Sequence, residues 1–219
     1  MHLASQGRFP HRSLSWVPVH VVYRLANSVP VAARHTLQEN YQNDLQALQR
    51  RFPQRTTAVQ QELDYHTAAQ ALRNRYFQQY DQLLDQLAGG PTWLSQPEIA
   101  LLVYQSWMTV AEQEAVGILA LCIMPNHVHI LLRSQQNQPL ALGKLIGSHK
   151  KYTARRANTL LQRTGDFWAA DFFDRDVRPG ALSTVVQYIL YNPVRARLVS
   201  DWQAWPHTYL HPDLRGEEE

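Results

Sequence analysis

The chain has 219 residues, 45% of them hydrophobic, with a formal charge of +3 and a pI near 9.1. That length holds one α/β domain with an insertion, or two small domains, and the apolar fraction excludes general disorder. A single cysteine, Cys122, excludes an intrachain disulfide and a thiolate zinc cluster.

No apolar run approaches the roughly 20 residues that span a bilayer, and the N-terminus lacks a signal peptide's apolar core. A cytoplasmic protein without membrane attachment is the expectation. Charge is unevenly placed. Between Lys144 and Arg197 ten cations face four acids, whereas the tail Glu217-Glu218-Glu219 is acidic. A basic C-terminal half suits a nucleic-acid partner without demanding one.

In chain order, Trp16–Leu25 (WVPVHVVYRL) is valine-rich and alternating, which predicts a first strand. From about residue 31 to 88 the composition shifts to Gln, Leu, Ala and Arg. Leu37, Tyr41, Leu45 and Leu48 recur at helical spacing, as do Leu72, Tyr76, Tyr80, Leu83 and Leu87. Pro53 breaks this region into two helices and Gly89-Gly90-Pro91 stops the second, giving a helical hairpin arm inserted into one domain spanning 1–219. Ser95, with Glu98 three residues on, predicts a helix running to about Thr109. Two apolar runs, Ala115–Met124 and Val128–Leu132, are split by Pro125-Asn126 and predict adjacent antiparallel strands. A basic helix over about 140–163, a strand over Phe167–Val177 and a helix over Ser183–Tyr191 complete the order. The sequence β, α, β, β, α, β, α fits an α+β, ferredoxin-like antiparallel sheet with a final helix.

Chemistry concentrates in two segments. In the strand MPNHVHILL (124–132), His127 and His129 are two residues apart and project from one face, a half-site for a divalent metal. On the last helix, Tyr188 and Asn192 are four residues apart and share a face. The amide oxygen can act as a third ligand while the phenol stands by as a nucleophile. Two nitrogens and an amide oxygen suit Mg²⁺ or Mn²⁺. Taken singly, each of these residues is better explained by packing or capping; the set meets the demands of phosphodiester cleavage, a nucleophile plus stabilised phosphoryl charge. Tyr152 and Tyr191 are rival nucleophiles. Lys150, Lys151, Arg155 and Arg156 lie at successive turns of a helix with no acids, which favours phosphate contact over a merely solvated face. Arg175, Arg178 and Arg195 extend the candidate DNA surface, and Trp168 is a candidate base-stacking platform. His149 and His207 read as ordinary surface histidines.

MPNHVHILL, SHKKYTARRAN, GDFW…FFDRDVR and QYILYNPVRARLV, in that order and with VVYRLANSVP upstream, resemble REP-associated tyrosine transposases and their single-tyrosine HUH relatives, the IS200-like transposases. The resemblance covers most of the chain outside the arm. It implies a ferredoxin-like palm, metal ligation by His127 and His129, Tyr188 as nucleophile and Asn192 at the amide position one turn later. The implied activity is cleavage and rejoining of single-stranded or hairpin DNA through a 5′-phosphotyrosine, by a homodimer or a monomer. Two departures stand out. Arg197 occupies the usual glycine position of NPVxAGL, so a different turn is expected there. His207 and Thr208 replace serines of the family's C-terminal WPWSSY. A non-cleaving, domesticated DNA- or RNA-hairpin binder is the alternative function, and hydrolysis by water a third.

Overall fold

A computed structural model describes residues 13–52, 59–86, 89–136 and 139–215. Its elements are strands β1 (Ser13–Leu14) and β2 (Val19–Arg24), and helices α1 (Val31–Arg51), α2 (Val59–Asp85) and α3 (Pro97–Glu114). Strands β3 (Val116–Ile123), β4 (His127–Ser134) and β5 (Leu140–Ala141) and helix α4 (Leu142–Leu160) follow. The chain ends with strand β6 (Phe173–Asp176), helices α5 (Leu182–Leu190) and α6 (Asn192–Arg195), and strand β7 (Thr208–Leu210). These form two compact units, one of residues 27–90 and one of residues 1–26 with 91–219. Pro53, Leu87 and the acidic tail lie outside the described residues. Among the described residues no helix is long and apolar enough to cross a membrane.

The larger unit is built on an antiparallel sheet in the order β6-β2-β4-β3-β7. Its first four members run fourth, first, third, second in chain order, and with α3 and α4 as crossovers they make the expected ferredoxin-like palm. Strand alternation sorts the side chains. Val21, Tyr23, Val128, Ile130, Leu121 and Ile123 point to one face, where Ile99, Val103 and Trp107 of α3 and Leu142 and Ile146 of α4 cover them. Ala120, Cys122, Met124 and Leu131 point to the other, under Val185, Val186, Ile189 and Leu190 of α5. The β3–β4 register shifts between Ile118 and Ala120, so Leu119 has no opposite number and joins the α5 side.

A chain of hydrogen bonds fastens α3 and α4 to the sheet. Trp107 Nε1 donates to Tyr23 Oη at 2.7 Å, and Tyr23 Oη meets His149 Nε2 at 2.9 Å. His149 Nδ1 in turn meets Ser106 Oγ at 2.9 Å. Because the Tyr23 oxygen accepts from Trp107, its hydroxyl donates to Nε2, which assigns the proton of neutral His149 to Nδ1, facing Ser106. His149 is buried rather than on the surface. Burial, aided by the Lys150 charge, pushes its pKa down to about 3. Burial likewise raises the Tyr23 phenol well above its usual range.

In the smaller unit α1 packs against α2, with the Tyr41 and Tyr76 rings tilted against each other at 4.7 Å and an ion pair between Arg75 and Asp44. Phe52 meets Tyr65 at 6.0 Å, so the hairpin is antiparallel. Of the helical-spacing residues, Leu37, Tyr41, Tyr76 and Tyr80 are buried, whereas Leu45 and Leu48 are half-exposed. Gly90 approaches Ser28 so closely that a Cβ would lie 2.8 Å from the Ser28 Cα.

Several boundaries differ from expectation for local reasons. Helix α3 starts at Pro97, whose missing N–H costs nothing in a first turn, and Ser95 instead ends a 3₁₀ turn. Of Phe167–Val177 only Phe173–Asp176 is strand. Trp168 makes one isolated bridge to Leu25, after which Lys150 Nζ gathers the carbonyls of Ala169, Ala170 and Asp171 and bends the backbone away. Strand β7 lies outside the expected β, α, β, β, α, β, α order; its three residues pair with β3, and Trp205 Nε1 donates to the Ile123 carbonyl at 2.8 Å. Arg197 did not alter its turn: it keeps the glycine-like conformation at φ 58°.

Two outcomes follow. Arg197→Gly removes a left-handed backbone penalty and raises stability by about 1 kcal/mol, read by urea denaturation. His149 is neutral when folded and takes up a proton when unfolded at its ordinary value of 6.5, so the unfolded state binds more protons between about pH 3 and 6.5. Stability therefore rises with pH across that window by up to about 1.4 kcal/mol per pH unit and levels off above it. In His149→Phe the slope flattens, even if the overall stability is lower.

Candidate active site

The turn before β4 sets where the site begins. Met124 N bonds the His127 carbonyl at 2.9 Å, and the Asn126 carbonyl accepts from Leu25 N at 2.8 Å. His127 thus opens the strand opposite Arg24, and His129 lies opposite Val22. His20 lies opposite both Leu131 on β4 and Arg175 on β6. By alternation all three histidines share the α5 face of the sheet.

All three imidazoles are fully buried. His127 Nε2 and His129 Nε2 are 2.9 Å apart, and His127 Nδ1 is 2.6 Å from Asn126 Oδ1. His129 Nδ1 is 3.1 Å from His20 Nε2, and Arg175 Nε donates to His20 Nδ1 at 3.3 Å. Tyr188 is brought to this cluster by α5. Its ring centroid is 6.0 Å from that of His20 and 6.1 Å from that of His129. The guanidinium of Arg195 lies 3.9 Å from the Tyr188 ring centroid and that of Arg175 5.7 Å. Arg195 also donates to the Tyr188 carbonyl at 2.8 Å. The half-buried phenol thus lies beside two guanidiniums, each held by a hydrogen bond of its own.

Asn192 stands one turn beyond Tyr188 and is fully buried. Neither its Oδ1 nor its Nδ2 has a hydrogen-bond partner among the described residues. Leaving a buried carboxamide unpaired costs about 1–3 kcal/mol, so the residue is poorly explained by packing alone. A metal ligand is one explanation, and the histidines fit it. Two nitrogens at right angles on one ion with bonds of about 2.1 Å lie about 3 Å apart, close to the 2.9 Å observed.

The rival tyrosines are elsewhere. Tyr152 is 54% exposed on α4, which packs on the opposite face of the sheet, and Tyr191 is 47% exposed. The candidate DNA contacts separate into groups. Lys151, Arg155 and Arg156 are exposed on α4, across the sheet from the histidines, and Arg178 is exposed beyond β6. Lys150 is engaged by backbone carbonyls. Trp168 is in the core rather than on the surface, 6% exposed, with its Nε1 donating to Thr153 at 2.9 Å. Only Arg175 and Arg195 of that set touch the tyrosine. Residues not singled out from sequence are His20, Asn126 and Arg24. Alternation along VHVVYR already aligned His20, Val22 and Arg24, and pairing of the first and third strands would have set them beside His127 and His129.

Residues 92–192 match the family model described as "Transposase IS200 like". Over that segment, a little under half of its length, the chain is similar to IS200-like transposases. A Haemophilus influenzae protein named as a REP-associated tyrosine transposase is 25% identical over 107 residues. The match covers 45% of this chain and 61% of that protein. A solved REP-associated tyrosine transposase bound to a REP hairpin superposes with a TM-score of 0.52 at 11% identity, over 93% of this chain and 82% of that one. The likeness is one of fold. His127, His129, Tyr188 and Asn192 all lie within the segment that matches the IS200-like model, or at its last position, whereas His20 lies outside it.

If Asn192 is unpaired for a functional reason, Asn192→Leu raises the stability of metal-free protein by about 1 kcal/mol in thermal denaturation with chelator. A loss of stability would show that the carboxamide has a partner.

Proposed function

We propose that this chain is a metal-dependent transposase that cuts and rejoins single-stranded DNA through a covalent bond to Tyr188. The observation that carries the reading is the placement of the Tyr188 ring about 6 Å from the buried rings of His20 and His129, on one face of the sheet, and beside Arg175 and Arg195. In this reading residues 31–88 form an arm inserted into one catalytic domain spanning 1–219. DNA hairpins are the substrate class to test first, since the solved relative is bound to one.

Tyr188 Oη attacks the scissile phosphorus. An O–P bond to tyrosine forms as the bond to the 3′-oxygen breaks, leaving a 5′-phosphotyrosine and a free 3′-hydroxyl. The proton lost by the phenol is balanced by the one gained at the 3′-oxygen, and attack by a 3′-hydroxyl reverses the step. Arg195, fixed by the Tyr188 carbonyl, and Arg175, which His20 holds beside the phenol in the metal-free site, carry positive charge where the phosphate arrives. Packing of α5 on the sheet orients the phenol and excludes water. His127, His129 and Asn192 would hold Mg²⁺ or Mn²⁺, which supplies charge stabilisation at the phosphoryl oxygens.

Labelled hairpins from the gene's flanks, incubated with Mn²⁺ and run on a denaturing gel, give a covalent protein–DNA band with wild type. Tyr188→Phe abolishes that band, and His127→Ala/His129→Ala lowers its rate on the order of 100-fold or more. Cleavage without a band would establish water as the nucleophile. Binding without cleavage would favour a hairpin-binding protein.

A further inference from the structure

We infer that His20 is a positioning residue whose hydrogen bond sets the tautomer of His129, and that Arg175 is the group that locks it. The polarity of the chain from Arg175 to Asn126 follows from its two ends. Arg175 Nε can only donate, so His20 Nδ1, at 3.3 Å, accepts. A neutral His20 then carries its proton on Nε2 and donates to His129 Nδ1 at 3.1 Å. His129 in turn carries its proton on Nε2 and donates to His127 Nε2 at 2.9 Å. At the far end Asn126 Oδ1 can only accept, so His127 holds its proton on Nδ1. Both ends demand the same direction.

That direction has a consequence for the reading above, on which this inference rests. His127 Nε2 offers a lone pair to a cation, but His129 Nε2 offers a proton. Ligation by both rings requires the His129 proton to move from Nε2 to Nδ1. His20 must then accept at Nε2 and carry its own proton on Nδ1. No proton is gained or lost. The His20 Nδ1–H now confronts the Arg175 Nε–H, two donors face to face, and the contact between them breaks. Arg175, already 5.7 Å from the centre of the Tyr188 ring, is thereby released on the side where the scissile phosphate would lie. Loading the histidines and freeing this guanidinium are one event. His20 touches neither phosphate nor nucleophile in this scheme; it acts through His129.

The test uses the full chain with ¹⁵N-labelled histidine and two readouts. In chelator, long-range ¹H–¹⁵N correlations show His20 and His129 protonated at Nε2 and His127 at Nδ1. With Mg²⁺, His20 and His129 switch to Nδ1. Calorimetric Mn²⁺ titration gives about tenfold tighter binding for Arg175→Met than for wild type. In a His20→Phe background the same Arg175→Met change gives no such gain. An Nδ1 proton on His20 or His129 in chelator overturns the relay. An equal gain in both backgrounds also overturns it, because removal of a positive charge would then explain the effect. Mn²⁺ binding that is absent, or that survives His127→Ala/His129→Ala, sinks the metal reading and the reversal with it, while the chelator spectra judge the relay separately.

Discussion

Antiparallel pairing of Val19–Arg24 with His127–Ser134 is the constraint from which the rest follows. With Val22 opposite His129, Val21, Tyr23, Val128 and Ile130 turn toward α3 and α4, and His20, Arg24, His127 and His129 turn toward α5. A slip of one residue would exchange the two sets. It would put imidazoles into the apolar layer around Trp107 and valines beneath Tyr188. Register therefore decides chemistry as well as packing, and the large apolar face on the α3 side is what makes the slip costly.

Among the described residues the sheet has buried histidine on each side, His149 alone toward α3 and α4 and three rings toward α5, and the two sides are handled differently. On the α3–α4 side His149 is one link in a run from Trp107 through Tyr23 to Ser106, in which donors and acceptors alternate consistently. That is how a buried polar group is made inexpensive. On the α5 side two ring nitrogens converge at 2.9 Å and a fully buried carboxamide has no partner. The imidazoles there also alternate donor and acceptor, but the Asn192 carboxamide is left out of that run. Such local inconsistency is characteristic of functional sites.

Much of this was legible before any coordinates. Strand periodicity put His127 and His129 on one face, helical periodicity put Tyr188 and Asn192 together, and element order implied the palm. What escaped was tertiary. His20 is a lone histidine in a valine run, and its partner His129 is 109 residues away. Lys150, Trp168 and His149 carry side chains typical of surfaces or platforms, yet a loop's carbonyls, Thr153 and Tyr23 claim them. Arg197 shows the opposite error: its chemistry argued for a changed turn, and the backbone kept φ 58° regardless.

The central position of β2 also limits how the molecule can be divided. This strand lies between β6 and β4, yet it is encoded at residues 19–24, on the far side of the arm from every other strand of the sheet. A fragment holding only 92–192 would contain the tyrosine, both histidines of the pair and strands on either side of a gap, with β4 and β6 exposing unpaired edges where β2 belongs. Closing the sheet across the arm is inexpensive in chain entropy, since loop cost grows only with the logarithm of length, about 0.6 kcal/mol per doubling. The arm can therefore change in length far more cheaply than the chain can lose Val19–Arg24.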